Sequence, residues 1–141
     1  MIERKLDNCL ALETNSIKEC ILYLEKSTKQ IIFVVNKNKK LLGSITDGDL
    51  RRAILKNYDL DAKIKSIYKK NPLKCLKNIS FNEALEIMQL NKINHLPIVD
   101  KKNKIIAFYS RNYFKTNIRE IECDFVIMAG GKGTRLRPYT N

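Results

Sequence analysis

The strongest constraint on this chain is an internal duplication that runs through its first 115 residues at an offset of 64, with no gap needed. Ser16 and Glu19 recur as Ser80 and Glu83. This is capping-box spacing, in which hydroxyl and carboxylate satisfy otherwise orphan N–H groups at a helix start. Ile17, Cys20, Ile21 and Leu24 follow as an apolar stripe at helical spacing, and Phe81, Ala84, Leu85 and Met88 fall at the same four places. A short strand is predicted over 31–35 and again over 95–99. Each leads through a polar turn (36–40, 100–104) into a returning strand (41–45, 105–109). A second helix is predicted to begin at Thr46 and at Ser110. Short extended pieces at 9–12 and 73–76 precede the two units, and Pro72 favours an extended Asn71 before it.

Each unit reads strand–helix–strand–strand–helix, an α/β (α+β) arrangement. One unit of about 60 residues leaves much of its sheet uncovered and is marginal alone, whereas two packed sheet to sheet bury both. The boundaries are 1–58 and 59–118, with 119–141 left for a linker and the start of something else. Residues 56–72, rich in Lys and Asp, read as a connection that still carries some helix. Residues 116–124 read as a second connection leading into a final strand.

Composition narrows the function classes. The hydrophobic fraction of 44% is ordinary for a globular domain. No apolar run approaches the roughly 20 residues of a membrane span, and the N-terminus has no signal-peptide core, so a cytoplasmic protein is expected. Cys9, Cys20, Cys75 and Cys123 show no C-x-x-C spacing and sit among apolar neighbours. Buried, reduced thiols are expected, with no metal site. The net charge of +12 raises nucleic acid as a partner. The lysines are scattered, however, and no aromatic residues interleave with them to stack bases. Anionic small molecules are the better match. His95, the single histidine, opens a buried strand and reads as a core or rim residue rather than a ligand.

The stretch 125–140 has another character. An apolar run ends in Met128-Ala-Gly-Gly-Lys-Gly-Thr-Arg-Leu-Arg-Pro138. Glycines without Cβ atoms let backbone N–H groups approach an anion closely. Thr134, Arg135 and Arg137 add a hydroxyl donor and two fixed positive charges suited to phosphate oxygens.

The duplicated part resembles the cystathionine-β-synthase (CBS) domain pair, or Bateman module, over roughly residues 8–118. The resemblance rests on the element order, on His95-Leu-Pro-Ile-Val-Asp100 and on Gly43-Ser-Ile-Thr-Asp-Gly-Asp-Leu-Arg-Arg52. The family motif Gly-x-x-Thr/Ser-x-x-Asp is matched by Gly43, Thr46 and Asp49. In adenine-nucleotide-binding members the hydroxyl and carboxylate hold ribose and phosphate, so the resemblance implies a ligand cleft at Gly43, Thr46, Asp49 and Arg52. Thr46-x-x-Asp49 is equally a helix cap, and the two roles are compatible. Arg51 and Arg52 are either phosphate contacts or solvated. In the second copy Ala107, Ser110 and Tyr113 stand at the motif positions, and a phenol cannot accept two ribose hydroxyl protons as a carboxylate can. The resemblance therefore implies at most one equipped cleft. It also implies a homodimer through the pair, with the first helices as candidate contacts.

The tail resembles the signature of sugar-phosphate nucleotidyltransferases, Gly-Gly-x-Gly-Thr-Arg-Leu-x-Pro. By that resemblance Ala129, Gly130 and Gly131 meet base and ribose, while Gly133, Thr134 and Arg135 meet the triphosphate. Arg135 balances charge as pyrophosphate leaves. A CBS pair ahead of this string resembles bacterial enzymes of surface-glycan pathways that make GDP-sugars, including GDP-glucosamine on routes to legionaminic acid. The carboxylates expected to hold Mg²⁺ are not among residues 1–141, so these residues alone are expected to be catalytically inactive. The alternative is a ligand-free pair that serves only to dimerise an enzyme.

Overall fold

A computed structural model describes residues 2–27, 29–76 and 79–111. The helix expected from Ser110 onward, Tyr113, Cys123 and the whole Gly-rich tail, including Ala129 to Arg135, lie outside the described residues. The order is β1 (Ile2–Glu3), β2 (Leu10–Leu12), α1 (Ile17–Ser27), β3 (Ile31–Val35), β4 (Leu41–Thr46), α2 (Asp47–Leu55), a 3₁₀ turn (Ile64–Ser66), β5 (Lys69–Lys70), β6 (Cys75–Leu76), α3 (Phe81–Leu90), β7 (His95–Val99) and β8 (Ile105–Ser110). They form two four-stranded sheets in the orders β2-β3-β4-β5 and β1-β8-β7-β6.

The expected elements fall where the repeat places them. Each helix starts on its box: Ser16 with Glu19, Thr46 with Asp49 and Ser80 with Glu83. Strand alternation divides the apolar residues between layers. Ile31, Phe33 and Val35 meet Val99, Ile105 and Phe108 between the sheets. Ile32 and Val34 face the other way, beneath α1 and α2 with Ile17, Cys20 and Leu50. Leu96 and Ile98 pack with Ala84 and Met88 of α3. The sheets therefore share a central apolar layer, and helices cover their outer faces. Cys9, Cys20 and Cys75 are free and buried.

Duplication extends to irregularities. Both hairpins carry a register shift, at Val34/Val35 and Ile98/Val99. In one turn Asn36 Oδ1 accepts from the N–H groups of Asn38 and Lys40; in the other Asp100 Oδ1 accepts from those of Lys102 and Lys104. Lys39 and Asn103 are both left-handed, at φ 58° and 62°. The turns meet about a pseudo-two-fold axis: Leu41 N–H donates to the Asn103 carbonyl and Ile105 N–H to that of Lys39.

Three features differ from the sequence reading. First, the leading strands are exchanged. β1, at the start of the first unit, pairs with β8 of the second sheet, and β5, at the start of the second, pairs with β4 of the first. Glu3 and Lys69 thereby occupy equivalent places, opposite Phe108 and Ser44. Ala11 and Cys75 occupy the next matched pair of places, so the first unit holds two extra residues between these points and the gap-free register fails there. Second, the connection over 56–72 carries the expected helical piece, as the 3₁₀ turn Ile64–Ser66, but it is also tied into the first unit. Ile64 is fully buried in the first core, and the carbonyls of Leu60 and Ala62 accept from Lys18 and Ile17 at the start of α1. Third, Asn71 is left-handed at φ 50° rather than extended. Asn tolerates this region better than most residues, and its N–H donates to the Leu42 carbonyl as the chain leaves β5.

Candidate functional site

The exchanged strand β5 explains the motif glycine. A Cβ on Gly43 would lie 2.2 Å from a ring carbon of Tyr68 and 2.5 Å from the Lys69 carbonyl oxygen. Only a residue without a side chain allows β5 to lie against β4 here. Gly43 thus shapes the site from behind and does not face it.

In front of β4 lies a cleft of about 510 Å³ between the two repeats. Ile31, Phe33, His95 and Pro97 contribute an apolar floor from the two central strands. Ser44, Thr46 and the N-terminal residues Asp47 and Gly48 of α2 form one wall, and Lys69 to Leu73 with Lys92 to Asn94 form the rim. Lys69 lies opposite Ser44 in the β4–β5 pair and so stands on the same face of the sheet.

Thr46 lines this cleft; Asp49 does not. Thr46 Oγ1 accepts from Asp49 N–H at 3.3 Å. Asp49 Oδ2 accepts from Thr46 N–H at 2.9 Å and from the Thr46 hydroxyl at 2.7 Å. Its other oxygen accepts from Arg52 Nη2 at 2.6 Å. Burial pushes the Asp49 carboxyl up, but these hydrogen bonds and the charge of Lys69 outweigh it and hold the group below its ordinary value. Asp49 and Arg52 line a smaller depression of about 180 Å³ with Lys56, Tyr58 and Ser66. Of the four expected cleft residues, the structure brings Thr46 to the cleft, sets Gly43 behind it, and places Asp49 and Arg52 to one side in the cap. Arg51 pairs with Asp47. Asp49→Ala should cost about 1 kcal/mol through the lost cap; urea unfolding midpoints measure it, and an unchanged midpoint contradicts the cap.

His95 is half-buried on the floor, its ring edge-on to Phe108 with the two ring centroids 6.0 Å apart. Its Nε2 is buried without a hydrogen-bond partner among the described residues. Burial pulls the imidazole down to about 4, despite the nearby Lys29 carbonyl, so it is neutral at pH 7. The rim lysines, Asn94 and His95 were not expected at the site. Their signal was present in the duplication: two sheets packed about an axis place the start of each central strand beside the partner repeat.

The matching position on the other side of the axis is occupied by protein. Phe108 stands where the first repeat has Ser44. It is fully buried, with its ring 5.2 Å from that of Phe33. Glu3, equivalent to Lys69, pairs with Lys29 at 2.9 Å. Phe108 and this ion pair thus stand at the places that Ser44 and Lys69 hold beside the first cleft.

The CBS domain model matches residues 10–56 and 64–118, and the chain belongs to the CBS domain family. An uncharacterized protein of Helicobacter pylori strain J99 is 33% identical over 100 residues, which are 70% of this chain and 30% of that protein. The match thus spans under a third of the relative's length. Among solved structures, the CBS domain pair of protein MJ0100, in complex with 5′-methylthioadenosine and S-adenosyl-L-methionine, superposes with a TM-score of 0.72 at 20% identity. It covers 82% of this chain and 92% of that one. The CBS domain protein PAE2072 of Pyrobaculum aerophilum, complexed with AMP, gives 0.68 at 23% identity, covering 73% and 79%. At such identities these two structures establish the fold.

Proposed function

We propose that the chain is a regulatory module that binds one adenine nucleotide in the cleft between its repeats. The observation that carries this reading is the cleft itself. It joins an apolar floor for a base, a hydroxyl-bearing helix N-terminus for a phosphate, and a lysine rim, in a volume of about 510 Å³. The ligands named for the solved CBS pairs support it. Ser44→Phe places in this cleft the side chain that the second repeat carries at the matching position, Phe108. Nucleotide at a hundredfold excess over Kd should stabilise the parent by about 2.7 kcal/mol in a thermal-shift assay and leave Ser44→Phe unmoved. An equal shift in both proteins contradicts the placement.

The module's context is also proposed: a sugar-1-phosphate nucleotidyltransferase, with residues 119–141 opening its catalytic domain. Its support is the string Met128 to Pro138, in which Arg135 would offset charge as pyrophosphate departs. With Mg²⁺, GTP and glucosamine 1-phosphate, a full-length protein should release pyrophosphate, and Arg135→Ala should lower kcat strongly. No release with any nucleoside triphosphate and sugar 1-phosphate rejects this context.

A homodimer belongs to the same proposal. Ile21, Leu24, Leu50 and Ile54 line an apolar groove between α1 and α2, and Leu22 and Ile54 are close to half exposed. Light scattering at tens of micromolar should give twice the chain mass; a monomer mass rejects the dimer.

A further inference from the structure

The cleft's charges are unbalanced. Among the described residues Asp47 is its only lining carboxylate, and Arg51 already pairs with it. Asp49, the next nearest along the chain, is taken by Arg52. Lys69, Lys70 and Lys92 line the same cleft, and none has an ion-pair partner among the described residues. Lys69 shares the sheet face of Ser44, while Lys92, left-handed at φ 52°, follows α3 on the opposite rim. All three belong to the second repeat, but they reach the cleft from two sides: Lys69 and Lys70 from the exchanged strand at the edge of the first sheet, Lys92 from the turn after α3. A monophosphate carries at most about two negative charges and cannot offset three lysines. A second or third phosphate can. Compact ammonium groups on flexible stems suit the outer phosphates of such a chain, whose position varies more than that of a planar carboxylate.

We propose that this cleft selects nucleoside di- and triphosphates over monophosphates, with Lys69 and Lys92 facing the outer phosphates. The inference rests on the nucleotide reading of the cleft and adds the ligand's charge class.

Isothermal titration of the 141-residue chain with adenosine, AMP, ADP and ATP, at low salt, tests it. ATP should bind at least about tenfold more tightly than AMP, and the ratio should shrink as added salt shortens the screening length. Lys69→Gln combined with Lys92→Gln should bring the ATP-to-AMP ratio close to one and leave adenosine within about twofold. Lys18→Gln combined with Lys26→Gln, on α1, removes the same charge outside the cleft and should preserve the ratio. Inorganic tripolyphosphate should compete at least about tenfold more weakly than ATP, because it cannot use the apolar floor. AMP binding as tightly as ATP, or an unchanged ratio in the Lys69/Lys92 double variant, overturns the inference alone. Tripolyphosphate matching ATP overturns the nucleotide class. Absence of binding by all four compounds overturns the nucleotide reading and this inference with it.

Discussion

Gly43→Ala should melt about 8 °C below the parent chain, since overpacking of this kind costs about 2 kcal/mol and a domain between the small and medium size classes loses about 4 °C per kcal/mol. The cause lies in the exchanged strand. An added methyl would stand 2.5 Å from the Lys69 carbonyl oxygen, which is backbone and cannot rotate away, and 2.2 Å from Tyr68. β5 must lift off β4, which also displaces Lys69 and Lys70 from the cleft rim. Gly43→Val should cost more. A circular dichroism melt measures both, and a Gly43→Ala midpoint within about 2 °C of the parent would show that β5 yields freely.

Lowering the pH from 6.5 to about 4 should remove roughly 3 kcal/mol of stability through His95 alone. Its folded value lies near 4 and its ordinary value is 6.5. Between these the unfolded chain binds a proton that the folded chain refuses, so stability falls as pH falls through this window. Burial opposes protonation of the ring most, the Lys29 ammonium adds to it, and the Lys29 carbonyl works the other way. Asp47, the carboxylate nearest to the ring in the cleft, is paired to Arg51. Hydrogen bonds hold three carboxylates below their ordinary values: Glu19 through Asn15 and Ser16, Glu83 through Ser80, and Asp49, where burial pushes the other way, through Thr46 and Arg52. Their contributions persist above the ordinary carboxylate range and are lost only at lower pH, largely outside the histidine window. Denaturant midpoints at pH 7 and 4.5 should differ clearly in the parent and little in His95→Leu. Equal slopes in the two proteins reject a histidine buried in its neutral form.

Much of this fold was legible in residue spacing. A capping box with an apolar stripe fixes where a helix starts and which face it buries, and both are local patterns. The strands at 31–35 and 95–99 were legible as apolar runs between turns, and the duplication paired them. β1 and β5 were not legible. Two-residue strands carry no alternation, and Lys69-Lys70 has no apolar face; they exist because a neighbouring edge accepts their backbone hydrogen bonds. The segment holding Ile64 reads as a charged connection because Lys and Asp dominate it, yet one fully buried isoleucine binds it to the first core. The site was legible in part for the same reason. Thr46 announces itself through its motif. The contribution of Lys92 and His95 depends on how two repeats meet, and that is a property of packing across 64 residues. Asp49 shows the opposite case: its motif is plain, and its carboxylate is occupied by the cap.

One cleft is open, and at the matching places across the pseudo-two-fold axis stand Phe108 and the Glu3–Lys29 pair, so one ligand site per chain is expected. Calorimetric stoichiometry tests it most directly. Titration of ATP into the 141-residue chain should give one site per chain, lost in Ser44→Phe. Two equivalent sites per chain, or one site unchanged in Ser44→Phe, would contradict the account, because ligand would then occupy the space assigned to Phe108 and the Glu3–Lys29 pair.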